Sequence, residues 1–193
     1  MAKSSQYRLL VTGAFVLGAI VIAWSLYDGA LRQTIPGEHD YHSANKYFED
    51  GHYDKAKLSY LACLSVNPDF IHAKRGLARS LMQLDMYEDS LVIFDEVIQK
   101  DPEFAASYAN RGILYDRLGR YENAIKDYKK AIELDKKIVE GPSWITRFLR
   151  NQIERPPNVH DRLIYLQNEL LKTQDEQLLN VPELDELQQP YKS

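Results

Sequence analysis

The sequence is poor in cysteine: Cys63 is the only one among 193 residues, so no disulfide can form within the chain. It also lacks a Gly-rich phosphate-binding loop, a Gly-x-Ser-x-Gly elbow and any pair of cysteines. These absences remove the usual sequence signatures of disulfide scaffolds, nucleotide-binding enzymes, serine hydrolases and cysteine-based zinc sites. The composition, 45% hydrophobic and 27% charged, is otherwise that of a folded protein. We therefore expect a folded chain without catalytic activity and without a cofactor.

Basic charge is also scarce. The chain has 24 Lys plus Arg against 28 Asp plus Glu, a net charge of -4, and two of the basic residues, Lys3 and Arg8, precede the main part of the chain. Binding to nucleic acid depends on a concentrated basic surface. We therefore expect protein partners and no nucleic-acid partner.

One long uncharged run, Leu9 to Tyr27, lies near the N-terminus. As a helix it would be about 29 Å long at about 1.5 Å per residue, close to the thickness of the bilayer hydrocarbon. The run predicts a transmembrane helix over residues 9–27. A cleaved secretory signal is the alternative, with a cleavage site at Val21–Ala23, but the apolar run continues past that site through Trp24.

The charges that flank the run predict its orientation. Lys3 and Arg8 precede it without any acidic residue, and positive residues favour the cytoplasmic side of a membrane. We expect a single-pass inner (cytoplasmic) membrane protein with residues 1–8 in the cytoplasm, a linker at 28–36, and the rest of the chain in the periplasm.

After the linker, the sequence repeats three times at an interval of 34 residues, over 37–70, 71–104 and 105–138. In each copy a turn residue is followed two positions later by Tyr, then by a small residue, and then by an aromatic. In the first copy, steps of three and four residues place Tyr53, Ala56, Tyr60 and Cys63 on one face of a helix. The turn residues are Gly51, Asp85 and Gly119, and the small residues of the preceding helices are Ala44, Ala78 and Gly112.

This pattern closely resembles the tetratricopeptide repeat, over residues 37–138. It departs from the family pattern at Lys74, Asp85 and Lys136. The resemblance implies an all-α fold in which three pairs of helices stack into a solenoid. It also implies a scaffold for protein–protein interaction, such as an assembly factor or an accessory subunit of a membrane-associated complex.

Residues 139–173 are expected to form extra helices that cap the third repeat. The first would place Trp144 and Phe148 on one face, a composition that also fits a helix on a membrane surface. The second would begin at Asn158 and present leucines toward the repeats. Its leucines are Leu163, Leu166, Leu170 and Leu171. Residues 174–193 are expected to be an extended tail, packed on the domain or held by a partner.

The resemblance also implies where a partner binds, because the first helix of each repeat lines the concave groove in this family. In this chain the resemblance places Ala106 in the groove, together with a predicted partner-binding site. The residues of that site are Tyr41, Asn45, His72, Arg75, Arg79, Ile113 and Asp116. Family members that clamp acidic C-terminal tails use a set of Lys, Asn and Arg of which only Asn45 is present, so we do not expect that clamp. We expect a segment with an acid near an apolar anchor.

Three alternatives remain open. Arg75 and Arg79 could instead pair with Glu38, Glu49 or Asp116 of the chain itself. The chain could be an organelle receptor whose repeats face the cytosol, which requires the opposite topology. It could also be a metal-dependent enzyme, whose ligands would come from His39, His42, His52, Glu38, Asp40 and Asp54, although their spacing matches no recognised metal site. We predict no bound metal.

Overall fold

The computed structural model describes residues 2–31, 35–140, 158–181 and 190–191, and within these ranges it is all-α, with eight α-helices, two short 3-10 helices and no strand. The α-helices are α1 (Ala2–Leu31), α2 (Glu38–Glu49), α3 (Tyr53–Val66), α4 (Ile71–Gln83), α5 (Tyr87–Lys100), α6 (Ala105–Arg117), α7 (Tyr121–Leu134) and α8 (Val159–Glu169). The 3-10 helices are Lys136–Val139 and Gln174–Glu176. The predicted all-α solenoid is confirmed: α2 to α7 form three stacked pairs, and the second helices begin at the predicted 34-residue interval.

The three predicted turn residues all adopt the left-handed backbone conformation that ends a helix tightly. Their φ angles are +76° at Gly51, +58° at Asp85 and +70° at Gly119. In each turn the next N–H donates to a carbonyl near the end of the preceding helix, for example His52 N–H to Tyr47 O at 2.8 Å. The equivalent bonds in the other two turns join Met86 to Leu81 and Arg120 to Tyr115. Each repeat therefore turns in the same way.

The small and aromatic positions of the repeat form the core, as predicted. In the first repeat Ala44, Ala56, Tyr60 and Cys63 are fully buried. The equivalent residues of the later repeats, Ala78, Phe94, Val97, Ala124, Tyr128 and Ala131, are fully buried as well. Burial also raises the pKa of the Cys63 thiol, as expected for a cysteine that packs rather than reacts.

Helix α8 packs against α7, next to the short helix Lys136–Val139. Asn158 is its N-cap, as predicted: its side chain accepts from the N–H groups of His160 and Asp161, and the Asp161 carboxylate accepts from Asn158 N–H. Leu163 and Leu166 are buried toward the repeats. The expected face does not extend to Leu171, which is exposed because the helix ends at Glu169. The other expected capping helix, around Trp144, lies outside the described residues.

Helix α1 contains one apolar stretch, Leu10–Tyr27, that is long enough to cross a membrane, with a mean hydropathy of 2.0. Its large apolar side chains, such as Phe15 and Trp24, are exposed rather than packed on the repeats. A secretory signal has the same length and composition, so membrane anchoring stays a prediction. The predicted boundaries of the linker, of the repeats and of the capping region stay predictions as well.

Candidate functional site

The predicted groove begins at the N-terminal end of the solenoid with a group of stacked rings. Tyr41 of α2 lies against Phe70, with the ring centroids 4.9 Å apart, and the exposed His72 of α4 meets the same Phe70 ring edge-on at 6.0 Å. The side-chain oxygen of Asn45 accepts from the Tyr60 hydroxyl at 2.6 Å. Tyr41 and His72 therefore form an aromatic rim, whereas Asn45 is engaged within the fold.

Arg75 and Arg79 lie deeper in the groove, on the inner face of α4. Their exposed fractions are only 6% and 8%, and each guanidinium lies on an aromatic ring. Arg75 stacks on Phe104 at 3.7 Å from the ring centroid, and Arg79 lies 5.0 Å from the centroid of Phe48. The two cations are therefore held by rings from α2 and from the start of α6.

The polar partners of these arginines are only partly those expected. Arg75 pairs with Asp101, at the end of α5, which the sequence analysis did not name. Arg79 lies beside the Tyr60 hydroxyl and near Glu49, and burial lowers the pKa of its guanidinium. Asp116, another partner named in that alternative, binds a different arginine.

Asp116 instead forms a buried ion pair with α8. Its carboxylate accepts from Arg162 Nε at 2.6 Å and from Arg162 Nη2 at 2.8 Å, and the two residues are 5% and 3% exposed. Ile113, on the same helix α6, is 1% exposed and packs in the core. Both predicted groove residues are therefore covered by the chain's own packing, and their contact with a partner stays a prediction.

The floor of the groove beyond Arg75 is formed by α6 and is occupied by the C-terminal tail. The Asn110 side chain makes two hydrogen bonds to one tail residue: it donates from Nδ2 to the carbonyl of Tyr191 at 3.0 Å and accepts from Tyr191 N–H at 2.7 Å. The Tyr191 hydroxyl accepts from Val159 N–H at 3.0 Å, at the start of α8. Phe104 and Ser107 line the same pocket. This floor therefore holds the backbone of a non-helical segment.

Two polar atoms in this pocket are left without a hydrogen bond. Within the described part of the chain, Arg75 Nε and Ser107 Oγ are buried and have no partner. Phe104 and Tyr191 also line a second, open cavity of about 330 Å³, which Lys137 borders as well. Around Tyr191 the described residues of the tail therefore leave polar atoms without partners and leave volume unfilled.

The histidines and carboxylates of α2 do not gather into a metal site. His39 and His42 are exposed and each faces a single carboxylate, Asp40 at 3.8 Å and Glu38 at 3.7 Å. Among the described residues no group of three or more His, Cys, Asp or Glu side chains is arranged to hold a metal ion.

Comparisons with known proteins agree with this fold. Residues 41–70 and 105–137 match family models of the tetratricopeptide repeat (TPR). The solved first TPR of Spaghetti (RPAP3), bound to the HSP90 peptide SRMEEVD, is similar with a TM-score of 0.58 at 19% identity, over 71% of this chain and 94% of that one. The chain contains tetratricopeptide repeats. The NMR structure of the first TPR domain of human RPAP3 has the same fold, with a TM-score of 0.53 at 22% identity, over 69% of this chain and 96% of that one.

The chain matches only short parts of the curated relatives. The CTR9 homolog of Arabidopsis thaliana is 28% identical over 140 residues, which are 68% of this chain and 13% of that protein. The Hsp70-Hsp90 organizing protein of Triticum aestivum is 28% identical over 88 residues, which are 46% of this chain and 15% of that protein. The chain thus spans less than a fifth of the length of either relative.

Sequence reasoning missed several residues of the TPR groove, namely Asn110, Ser107, Phe104, Asp101 and Tyr191. Asn110 occupies the register position held by His42 and Gly76 in the other two repeats. The sequence offered one signal for Asn110, because it has an amide side chain where the first copy has a histidine and the second a glycine. Tyr191 had none, because 81 residues separate it from Asn110.

Proposed function

We propose that this chain is a membrane-anchored TPR scaffold whose concave groove binds an extended segment of a partner protein, with no catalytic activity of its own. The coarser function, a TPR module for protein–protein interaction, follows from the repeats themselves. The single observation that best supports the groove is the pair of hydrogen bonds between Asn110 and the backbone of Tyr191. A side chain that takes both backbone groups of one residue binds an extended chain whatever its sequence.

The surroundings of Asn110 favour a partner segment with an acceptor and an apolar or aromatic residue. Among the described residues Arg75 Nε and Ser107 Oγ are donors without partners, Phe104 lines their pocket, and Phe70 lies against the exposed His72. The solved Spaghetti TPR holds an HSP90 peptide. This chain lacks most of the residues expected for clamping such an acidic tail, so we propose a different segment as its partner.

A photo-crosslinking residue at position 72, on the exposed rim of the groove, would test this function in intact membranes. The matched control is the same residue at Val92, on α5, whose side chain is 69% exposed. We expect a crosslinked partner from position 72 and a weaker or absent one from position 92, and Asn110→Ala should reduce the product from position 72. Crosslinks from position 92 alone would contradict the groove and move the binding surface to α5.

The proposed anchor and topology need a separate test. The apolar stretch Leu10–Tyr27 in α1, preceded by Lys3 and Arg8, supports a membrane span with the repeats in the periplasm. A reporter that is active only in the periplasm, fused after Ser193, should be active. Activity of a cytoplasmic reporter alone would favour the organelle-receptor topology, and a mature N-terminus near Trp24 would favour a cleaved signal.

A further inference from the structure

Two described parts of the C-terminal tail, residues 178–179 and Tyr191, contact the folded repeats and α8. In the first part, Leu178 N–H donates to Glu169 Oε2 at 2.8 Å, and the Leu178 carbonyl accepts from the Tyr165 hydroxyl at 2.6 Å. One residue later, the carbonyl of Leu179 accepts from Arg162 Nη2 at 2.9 Å. Three side chains of α8 therefore hold the tail through its backbone, before Tyr191 enters the groove.

Tyr191 connects the groove to the capping helix. Its backbone is held by Asn110 of α6, and its hydroxyl accepts from the first N–H of α8, at Val159. Its ring packs against the core that contains α6 and α8. Tyr191 thus occupies the place on α6 where the proposed partner segment would lie.

The described residues of the tail leave two polar atoms of this place without a hydrogen bond. Among the residues that the structure describes, Arg75 Nε and Ser107 Oγ are buried without hydrogen-bond partners in the pocket that Tyr191 lines, and an unsatisfied buried polar group is unfavourable. A partner segment that presents acceptors to these two atoms would make hydrogen bonds that the tail does not make. The occupied state is therefore one that a better-matched segment can replace.

From this arrangement we propose that the C-terminal tail is an internal ligand of the groove, and that a partner segment binds by displacing Tyr191 from Asn110. The proposal rests on the proposed function of the groove. Because the tail belongs to the same chain, its effective concentration at the groove is on the order of millimolar, so it competes even with weak intrinsic affinity. The partner would then resemble the tail around Tyr191: an extended segment with a tyrosine-like aromatic, and with an acceptor for Arg75.

The test uses the full chain in detergent micelles and a fluorescent peptide with the sequence of residues 184–193, LDELQQPYKS. In the unaltered chain Asn110 is already occupied, whereas Tyr191→Ala removes the hydroxyl and the ring that hold this part of the tail on α8 and the core, and so weakens its competition for Asn110. We expect the peptide to bind the Tyr191→Ala variant at least tenfold more tightly than the unaltered chain. The matched control, Tyr47→Ala, removes a tyrosine outside the groove and should leave the affinity unchanged.

A second variant ties the binding to the groove. Asn110→Ala, combined with Tyr191→Ala, should abolish peptide binding while circular dichroism shows the helices intact. Equal affinity of the peptide for the unaltered and Tyr191→Ala chains would overturn the internal ligand but leave a binding groove. Failure of the peptide to bind Tyr191→Ala would also overturn it, because the tail would then have no affinity for the groove. The crosslinks from position 72 test the proposed function independently of either result.

Discussion

Two tyrosines at equivalent positions of the first and third repeats, Tyr60 and Tyr128, are both fully buried, but their polar surroundings differ. The Tyr60 hydroxyl donates to the neutral amide of Asn45 at 2.6 Å. The Tyr128 hydroxyl donates to the carboxylate of Asp116 at 3.2 Å. The repeat thus conserves the position of the ring between its first and third copies, but not the acceptor of the hydroxyl.

In both places an arginine from the next structural unit approaches the tyrosine. Arg79 of α4 lies beside Tyr60 and near Glu49, and burial lowers the pKa of its guanidinium. Arg162 of α8 makes two hydrogen bonds to Asp116. Helix α8 therefore docks on the third repeat much as the first helix of a fourth repeat would, but an ion pair fixes its position.

The largest expected effect comes from breaking this ion pair. Asp116→Ala leaves Arg162, which is 3% exposed, without its counter-charge, and also removes the acceptor of Tyr128. Removing one partner of a buried ion pair typically costs about 3–5 kcal/mol, so we expect a loss of that size in the free energy of unfolding. Urea unfolding followed by circular dichroism measures it.

Glu88→Ala is the matched control for that loss. Glu88 pairs with Arg120 at 2.6 Å, but both side chains are largely exposed, and such pairs contribute about 0–1 kcal/mol. A similar small loss for Asp116→Ala would mean that Arg162 finds water or another acceptor, and that the ion pair does not position α8.

The two tyrosine sites also show how far the sequence could predict this molecule. The rings, the small residues and the turns recur at a fixed interval, so the repeats and their core could be predicted from local periodicity. The contacts of Arg162 with Asp116 and of Tyr191 with Asn110 could not, because 46 and 81 residues separate the partners and no repeated pattern links them.

The burial of the predicted groove residue Ile113 could not be foreseen, for a related reason. The family pattern placed Ile113 toward a partner, but it does not include the capping helix and the tail of this chain. These elements pack with α6 in the same core cluster, where Ile113 is buried. Arg75 was predicted as a groove residue from its position on α4. Its partner Asp101 lies at the end of α5, and the pattern of α4 gives no information about that end.

The next largest effect is the loss of stability at high pH that the ionisation of Tyr60 should cause. Burial raises the pKa of Tyr60 from 10.0 to about 12, against the opposing effect of Arg79. Below pH 10 the phenol is neutral in both states and its full contribution is present. Between pH 10 and about 12 only the unfolded state ionises, so stability should fall by about 1.4 kcal/mol per pH unit.

Comparison with Tyr60→Phe isolates this contribution from other groups that titrate at high pH. The variant should lose stability less steeply than the unaltered chain above pH 10. Tyr47→Phe, which removes a more exposed hydroxyl, should retain the steep loss. Parallel curves for the unaltered chain and Tyr60→Phe would show that the Tyr60 hydroxyl ionises as readily in the folded state as in the unfolded one.

A smaller effect is expected from crowding the two rings. Gly76 of α4 lies so close to Tyr60 that an added Cβ would overlap the ring, and a Cβ at Gly112 would lie 2.6 Å from the Tyr128 ring. Overpacking costs about 1–3 kcal/mol, offset by about 1 kcal/mol of improved helix propensity. We expect Gly76→Ala to lose about 2 kcal/mol of unfolding free energy and Gly112→Ala less. Ser65→Ala, on the exposed face of α3, should change little, and an equal loss at both glycines would contradict the closer packing of Tyr60.

The smallest effect concerns the turn between the two sites, where Asp85 replaces the glycine found in the other two turns. Its φ of +58° costs a side-chain-bearing residue about 1–2 kcal/mol, but its carboxylate accepts from the Tyr87 hydroxyl at 2.5 Å, which offsets part of that cost. Asp85→Ala keeps the unfavourable φ and loses the hydrogen bond, so we expect a loss of about 1 kcal/mol in urea unfolding. Asp85→Gly relieves the φ but loses the bond and adds backbone entropy to the unfolded state, so its stability should stay within about 0.5 kcal/mol of the unaltered chain. A gain well above that for Asp85→Gly would show that the hydrogen bond to Tyr87 contributes little, and that this turn is strained relative to those at Gly51 and Gly119.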